Sequence, residues 1–258
     1  MRAVVGCSSY ALHAAPLVAA WHPCPMCGRY ATTLTSAALN AEFDINLANS
    51  FAGLEPDFNM APTKMAPIVV QRVPPDHDPY RELLLARWGL IPSWAKSPSI
   101  GSPIINARAE TVAEKPSFRK AFAARRALVP ADGYYEWYAG HGASKQPFYI
   151  TPRDRSVMAM AGLYEFWKDP GTGQWVISFT ILTTTAEDAL GHLHDRMPLI
   201  VEKDSYPQWL DPAPQPAGEL LSLLVPAAPG RLDAFPVSKA VGNFRNNGPE
   251  LIKPLPVQ

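Results

Sequence analysis

Short runs of alternating apolar and polar residues, many of them rich in β-branched and aromatic side chains, follow one another along the chain from residue 29. Such runs predict β-strands, and the turn residues between them, such as Pro170-Gly171, allow consecutive strands to pair antiparallel. The predicted strands are residues 29–33, 66–73, 82–88, 127–129, 133–138, 147–150, 157–166, 175–184 and 197–202.

Helical patterns are fewer and shorter than the strand patterns. Thr35 predicts the cap of a helix that ends near Phe43, and Pro116 suits the first turn of a helix that ends near Arg125. Three more helices are predicted, at residues 186–193, 205–210 and 217–224. The pattern as a whole predicts a single α+β domain, built on a curved or barrel-like antiparallel β-sheet with short helices packed around it.

Two stretches interrupt this pattern. Residues 59–63 are predicted to form a loop, because Pro62 disfavours the helical conformation at Ala61. Residues 89–94 form a turn that places Trp88 and Trp94 on either side of it. At least one of these two tryptophans is expected to be a core residue.

The charge of the chain limits the partners that it can hold. Lys and Arg together number 23, as do Asp and Glu, so the net charge at pH 7 is zero. A nucleic acid would therefore have to bind at a local basic patch. No segment approaches the roughly 20 apolar residues of a membrane-spanning helix, and no membrane partner is expected.

All three cysteines, Cys7, Cys24 and Cys27, lie near the start of the chain. The body of the protein therefore has no cysteine for a disulfide, as expected in the reducing cytoplasm. Cys24 and Cys27 form a C-x-x-C pair, but without a second pair we interpret it as a chance match rather than a zinc or redox site. No metal or other cofactor is predicted.

Residues 1–25 differ from the rest of the chain. Their mildly apolar run at residues 11–21 makes a poor secretory signal, and a translation start placed too far upstream explains the segment better. If Met26 is the true initiator, its removal leaves Cys27 as the first residue. We therefore expect residues 1–25 to be a non-native or cleaved extension, poorly ordered and dispensable, and residues 26–258 to be the functional domain.

A cysteine at the start of a chain carries two nucleophiles close together. Its α-amine can form a Schiff base with an aldehyde, and its thiol can then close onto the same carbon to give a thiazolidine ring. The alternative for Cys27 is a small buried residue without a chemical role.

Polar residues in apolar surroundings are further candidates for residues of a functional site. Asn106 and Arg108 follow the apolar pair Ile104-Ile105, and Glu136 stands among four aromatic residues. Desolvation there raises the pKa of a carboxyl toward the range of a general acid or base, unless Glu136 lies on the solvent face of its strand.

A connection between a predicted helix and strand carries His192, His194 and Arg196. Such connections often carry site residues, although a loop histidine is more often a surface residue. His192, His194 and Asp195 could contribute to a metal site, but a set of ligands from one loop without a distant partner is weak support for zinc.

Seven motifs follow one another along the chain. They are Met26-Cys-Gly-Arg-Tyr30, Asn59-x-Ala-Pro-Thr63, Arg87-Trp-Gly-Leu-Ile-Pro-Ser-Trp94, Asn106-Ala-Arg-Ala-Glu-Thr111, Gly133-Tyr-Tyr-Glu-Trp137, Ala161-Gly-Leu-Tyr-Glu-Phe-Trp167 and His194-Asp-Arg-Met-Pro198. In this order they resemble the motifs of one family, the SOS response-associated peptidase (SRAP) proteins, and the resemblance covers residues 26–247.

The resemblance implies a monomeric DNA-damage protein, cytoplasmic and associated with the nucleoid when bound to DNA. It would bind single-stranded DNA that contains an abasic site and crosslink to it through Cys27 as a thiazolidine. Asn106 would orient the reacting groups, Glu136 would act as acid and base, and His194 would support sugar opening. The implied DNA contacts are Arg29, Asn59, Pro62, Trp88, Arg108 and Arg196, with Trp88 and its turn stacking on or separating bases.

Two other functions stay open. In one, the same site is an autopeptidase in which the thiol of Cys27 attacks the Met26–Cys27 peptide bond with Glu136 or His194 as the base. In the other, the domain is a non-catalytic reader of single-stranded or modified DNA.

Overall fold

A computed structural model describes residues 28–45, 53–138, 145–186, 193–228 and 230–256. In this part of the chain strands hold more residues than helices do. The strands are β1 Tyr30–Thr32, β2 Asp57–Met60, β3 Met65–Arg72, β4 Tyr80–Trp88, β5 Asn106–Arg108, β6 Arg126–Ala131, β7 Gly133–Tyr138, β8 Gln146–Pro152, β9 Met158–Lys168, β10 Trp175–Thr185, β11 Arg196–Pro198, β12 Ile200–Val201, β13 Leu224–Val225 and β14 Leu232–Pro236.

The α-helices are short. They are α1 Ser36–Phe43, α2 Arg119–Ala124, α3 Tyr206–Leu210 and α4 Ala217–Ser222, and 3₁₀ turns lie at Pro98–Gly101, Ala109–Thr111, Lys203–Ser205, Lys239–Gly242 and Pro249–Ile252. Within the described residues, no helix is long and apolar enough to cross a membrane.

Five strands close into a barrel. Their order is β4-β3-β6-β9-β10, and β10 pairs back with β4. The pairings β3–β4, β3–β6, β6–β9 and β9–β10 are antiparallel, as expected, but β10 runs parallel to both β4 and β5. The predicted α+β domain with a barrel-like sheet is confirmed, and it contains two parallel pairings, of which β10–β4 closes the barrel and β10–β5 lies beside it.

Alternate residues of the barrel strands face two different cores. Ile68 and Val70 belong to a cluster that also holds Trp88 and Phe179, whereas Val69 packs in a cluster with the helices. Since the helices pack on the outside of a five-stranded barrel, the first cluster fills its interior. This alternation is the two-residue period that the strand patterns contain.

A second, antiparallel sheet packs against the barrel, with strand order β14-β8-β7-β1-β2. It contributes Tyr30 and Tyr134 to the interior cluster. The ring of Tyr30 meets that of Trp88 edge-on, with 5.1 Å between centroids. The inner face of this sheet and the barrel therefore share one core.

The differences from the predicted elements are local. Asn59 and Met60 end strand β2 instead of lying in a loop, and the tail strand β14 was not predicted. The strand predicted at 197–202 is split at Leu199, whose N–H donates to Leu182 of β10 while its carbonyl accepts from Ala161 of β9. Residues 187–192 of the predicted helix 186–193, and residues 1–25, lie outside the described residues.

We predict that Gly133→Ala destabilises the protein, because a Cβ at this position would lie 2.4 Å from Cζ of Tyr149 and 2.6 Å from the carbonyl oxygen of Ile150. Overpacking of this kind costs about 1–3 kcal/mol, and it would separate β7 from β8. Gly218→Ala is the matched control, since a Cβ there meets nothing within 4 Å in helix α4 and should stabilise by about 0.5–1 kcal/mol. Chemical denaturation measures both, and equal effects would contradict the prediction.

Candidate functional site

Glu136 is a buried carboxylate in the middle of strand β7. Its side chain is 4% exposed, and its strand partner across to β8 is Phe148. Tyr134 and Tyr138, two residues away on either side, share its face of the sheet and pack in or against the interior cluster. Glu136 therefore faces the junction between the two sheets, not solvent.

The register of β1 against β7 directs the start of the domain toward Glu136. Tyr30 pairs with Tyr134, and the N–H of Tyr135 donates to the carbonyl of Arg29 at 3.0 Å. Continued by two residues, the same register aligns Gly28 with Glu136. Cys27 itself lies outside the described residues.

Asn106 opens strand β5, which lies beside β10. Asn106 pairs with Ile181, and Ala107 pairs with Leu182. Because Ala107 and Leu182 belong to the outer, helix-side cluster, Asn106 and Arg108 face the other side of the sheet. Asn106 is half-buried, whereas Arg108 is exposed and open to a charged ligand.

Trp88, the last residue of β4, contacts both β1 and the residue that precedes β5. Its Nε1–H donates to the carbonyl of Ile105 at 2.9 Å, directly before Asn106, and its ring contacts Tyr30 of β1. Trp88 is fully buried, so the expectation that it stacks on DNA bases is corrected: it is a core residue. Across the turn, Trp94 is 58% exposed.

His194 precedes strand β11 and is half-buried. Its Nδ1 lies 3.1 Å from the backbone N of Arg196 and 2.9 Å from Oδ1 of Asp195. When Nδ1 accepts the Arg196 N–H, the neutral imidazole carries its proton on Nε2. His194 can then donate a hydrogen bond from Nε2. When both ring nitrogens are protonated, Nδ1 donates to Asp195 instead, and Nε2 can give its proton to a sugar oxygen.

An ion pair joins the His194 segment to the Asn106 segment. Arg196 Nη1 and Nη2 donate to Oε1 and Oε2 of Glu110, at 2.7 and 3.0 Å, and Nη2 also donates to the carbonyl of Thr183 at 2.6 Å. Strands β5 and β11 flank β10 on opposite edges, and this bidentate pair crosses the end of β10 between them.

The expectation that Arg196 contacts a DNA phosphate is therefore corrected. Arg196 is buried, and its two terminal nitrogens are occupied by Glu110 and Thr183. Its role is structural: it ties the residues that follow Asn106 to those that follow His194.

Asn59 also has a structural role instead of the expected DNA contact. It is fully buried, and its Nδ2 lies within 3.0–3.2 Å of the carbonyls of Val241, Asn243 and Asn246. Its Oδ1 accepts a hydrogen bond from Nη1 of Arg29 at 2.6 Å. Asn59 thus fixes the chain between residues 241 and 246 against β1 and β2.

Arg29 keeps its charge at the edge of this arrangement. Its guanidinium donates to neutral oxygens, those of Asn59, Val241 and Gly242. Burial is the main cause that lowers its pKa, while the nearby Tyr135 and Asp57 act in the opposite direction. A half-buried cation bonded to neutral groups favours an anionic ligand.

Pro62 lies beside Arg29 at an open cavity of about 310 Å³. The other lining residues are Ala61, Thr63, Lys64 and Phe244. Lys64 Nζ pairs with Asp57 at 2.7 Å, and Thr63 has a positive φ of 74° held by a 2.8 Å hydrogen bond from its N–H to the carbonyl of Trp88. Positive φ at a β-branched residue is strained and is often found at ligand sites.

Sequence reasoning assigned no role to Glu110, Lys64 or Phe244. Glu110 stood within a motif, but its partner Arg196 is 86 residues away. Phe244 had one usable signal, an aromatic residue among the polar residues 243–247. Among the described residues, no three His, Cys, Asp or Glu side chains are grouped to hold a metal ion, and His192 lies outside that set.

Comparisons with known proteins agree on one family. Residues 26–244 match the family model described as SOS response associated peptidase (SRAP). The "Abasic site processing protein YoqW" of Bacillus subtilis (strain 168) is 36% identical over 228 residues, covering 88% of this chain and 99% of that protein. The "Abasic site processing protein HMCES" of Xenopus tropicalis is 32% identical over 221 residues, covering 76% of this chain and 65% of that protein.

Solved structures share the fold. A crystal structure of a protein from Bacteroides thetaiotaomicron superposes with a TM-score of 0.75 at 28% identity, covering 89% of this chain and all of that one. A second, from Bordetella bronchiseptica, has a TM-score of 0.68 at 26% identity, covering 82% of this chain and all of that one.

The Glu110–Arg196 pair makes stability depend on pH in acid. The hydrogen bond from Arg196 is the main cause that lowers the pKa of Glu110 below its ordinary 4.5. A depressed carboxyl pKa adds stability above the unfolded value, and this stability is lost as the pH falls through the folded value. We predict that Glu110→Gln is less stable at neutral pH and loses less on acidification below about pH 5 than the parent protein. Denaturation at several pH values tests this against Glu219→Gln, an exposed control; parallel curves for all three proteins would contradict it.

Proposed function

The chain belongs to the SOS response-associated peptidase (SRAP) family, and from that premise we propose that it binds single-stranded DNA at abasic sites and crosslinks to them through Cys27. The relatives named abasic site processing proteins support the substrate class. In this proposal the protein acts as a monomer on DNA in the cytoplasm or nucleoid.

One observation carries the proposal: the polar residues of three distant segments lie in elements that meet at one junction. Glu136 is buried on the face of β7 that looks toward the barrel. Trp88 links the start of β5, and so Asn106, to β1, while the Glu110–Arg196 pair links β5 to the His194 segment. The register of β1 brings Gly28, the neighbour of Cys27, to the level of Glu136.

The proposed reaction needs no oxidant, metal or other cofactor. The abasic sugar opens from its hemiacetal to a free aldehyde, and the α-amine of Cys27 attacks that carbon and forms an imine with loss of one water. The thiol then adds to the imine carbon and its proton passes to the nitrogen, so that one carbon is bonded to both nitrogen and sulfur in a thiazolidine. No electrons are gained or lost.

Each side chain has a distinct task in this scheme. His194 in its imidazolium form, with Nδ1 beside Oδ1 of Asp195, gives the proton on Nε2 to the ring oxygen of the sugar as it opens and regains one from the hydroxyl on C1′. Glu136 takes a proton from the amine of Cys27 and returns one to the leaving water. Asn106 holds the opened sugar in place, and the exposed Arg108 contacts an adjacent phosphate.

The chemistry requires a free α-amine on Cys27. Initiation at Met26 followed by removal of that methionine would provide it, and so would cleavage of the Met26–Cys27 bond by the Cys27 thiol itself. The second route joins peptidase activity to the same site. Intact mass of the protein made from its native gene distinguishes these routes from a chain that keeps residues 1–26 and cannot form the ring.

We predict that the parent protein forms a heat-stable adduct with an abasic single strand, without added reductant, on a denaturing gel. Cys27→Ser should lose this adduct but retain lesion binding, because a hydroxyl closes an oxazolidine that hydrolyses more readily. A Ser variant that forms the adduct at the parental level would rule out the thiazolidine. A parent protein that binds the lesion without any adduct would instead be a non-catalytic reader.

We predict that substitutions of Glu136 and His194 change the rate of crosslinking differently when the substrate is changed. Positioned acid–base groups contribute about 10²–10⁴-fold, so both Glu136→Gln and His194→Ala should slow the reaction of a closed abasic sugar. An oligonucleotide that presents an open-chain aldehyde should rescue His194→Ala, whose task is ring opening, but not Glu136→Gln. Single-turnover rates measure this.

Two exposed residues provide matched controls for these substitutions. Glu219→Gln and His77→Ala remove the same groups from the surface and should react at the parental rate with both substrates. Equal rescue of the Glu136 and His194 variants, or of neither, would show that the roles are assigned wrongly.

A further inference from the structure

The cavity beside Pro62 has the size of a small-ligand site and lies next to the proposed reaction centre. Its volume, about 310 Å³, falls at the lower end of the range of about 300–1,000 Å³ for such sites. Arg29, on one wall, accepts through its carbonyl the N–H of Tyr135, the residue before Glu136. A group in this cavity would therefore neighbour whatever reacts beside Glu136.

One wall of the cavity is an aromatic ring held out toward solvent. Phe244 is 53% exposed, although the chain around it is fixed. Asn59 and Arg29 bind the carbonyls on both sides of it, from Val241 to Asn246. Asn247 adds two hydrogen bonds to the segment that leads into β2, accepting from the N–H of Phe58 and donating to the carbonyl of Pro56.

This anchoring distinguishes Phe244 from an apolar residue that happens to be exposed. The buried Asn59 and the half-buried Arg29 hold the loop in one conformation before any ligand arrives, which lowers the entropy cost of binding. The ring lines a cavity that is also lined by the flat apolar ring of Pro62. Two flat apolar walls suit a planar group between or against them.

The charge around the cavity is positive. Arg29 donates only to neutral oxygens in the hydrogen bonds described above, and the guanidinium carbon of Arg245 lies 5.9 Å from the centre of the Phe244 ring. Lys64 pairs with Asp57, so this pair adds no net charge. Among the described residues, neither Arg29 nor Arg245 has a carboxylate within 4.0 Å, and the cavity therefore favours an anion.

We propose that this cavity binds one unpaired nucleotide of the DNA strand next to the abasic sugar, with its base stacked on Phe244 and against Pro62. Its phosphate lies near Arg29 and Arg245. Aromatic platforms lined by cations bind single strands in this way, with little dependence on the identity of the base. The position of this nucleotide beside a lesion rests on the proposed function, but its binding does not.

The test uses an undamaged single strand, so that binding is measured without crosslinking. The affinity of the full chain for a short oligothymidylate is measured by fluorescence anisotropy at constant salt. Phe244→Ala should weaken binding by about 5- to 150-fold, the loss expected for one base–aromatic stack, and Phe244→Trp should bind at least as tightly as the parent. Because Phe244 is exposed, its replacement leaves the core unchanged.

Trp175→Ala is the matched control. Trp175 is 66% exposed, but it lies at the start of β10, the end opposite to Thr185 and the β11 pairing. The Trp175→Ala variant should bind the oligonucleotide with the affinity of the parent protein. A strand containing 2-aminopurine gives a second readout, since stacking on Phe244 quenches its fluorescence and Phe244→Ala should abolish the quenching.

The proposal would be overturned by no binding of the undamaged strand, by equal affinity of Phe244→Ala and the parent, or by equal losses for Phe244→Ala and Trp175→Ala. Competition by free thymidine monophosphate as effectively as by the strand would also overturn it, because the site would then select a free nucleotide. A parent that binds the undamaged strand through Phe244 but never crosslinks an abasic strand supports the cavity assignment and refutes the crosslinking function. If the parent crosslinks abasic DNA but Phe244→Ala binds the undamaged strand normally, the crosslinking function is supported and the cavity assignment is refuted.

Discussion

The burial of Trp88 between the barrel and the second sheet sets the relative positions of the elements that carry the candidate site. Its ring meets Tyr30 edge-on and lies nearly parallel to Phe179, with 6.3 Å between centroids, and its Nε1–H donates to Ile105. Burial of a tryptophan of this size contributes about 4–6 kcal/mol. The same residue therefore fixes β1, which leads back toward Cys27, and the strand that begins at Asn106.

Much of the fold could be predicted from local sequence. Strands β3, β4, β7, β9 and β10 combine apolar alternation with β-branched and aromatic residues, and their predicted bounds are close to those observed. What the sequence could not specify was the closure of the sheet, because the β10–β4 pairing joins residues such as Ser178 and Arg87 that no local pattern relates. Strand β14 was missed because Pro236 and the short run before it resemble a turn.

The candidate site was predictable only in part, and for a related reason. A carboxylate within a run of aromatics pointed to burial, and Glu136 is indeed buried. The local sequence does not distinguish Trp88 from Trp94, whereas the structure shows that Trp88 is buried in the core and Trp94 is exposed to solvent. The family resemblance implied a DNA contact for Arg196, and its carboxylate partner, Glu110, is too distant along the chain for a local pattern to reveal the pair. Whether a polar residue binds a ligand or its own protein depends on partners that local sequence does not identify.

The hydrogen bonds of Arg29 and Asn59 to the chain between residues 241 and 246 can form only late in synthesis of the domain. Arg29 and its partner carbonyl of Gly242 are 213 residues apart, so almost the whole domain must be present before they meet. At a synthesis rate of about 5–20 residues per second, Gly242 is made about 10–40 s after Arg29. A ribosome-bound chain therefore carries Arg29 and Pro62 well before the Phe244 wall of their cavity exists. The cavity is completed only after residue 244 has been made, which separates synthesis of the first cavity residues in time from their ability to engage a ligand there.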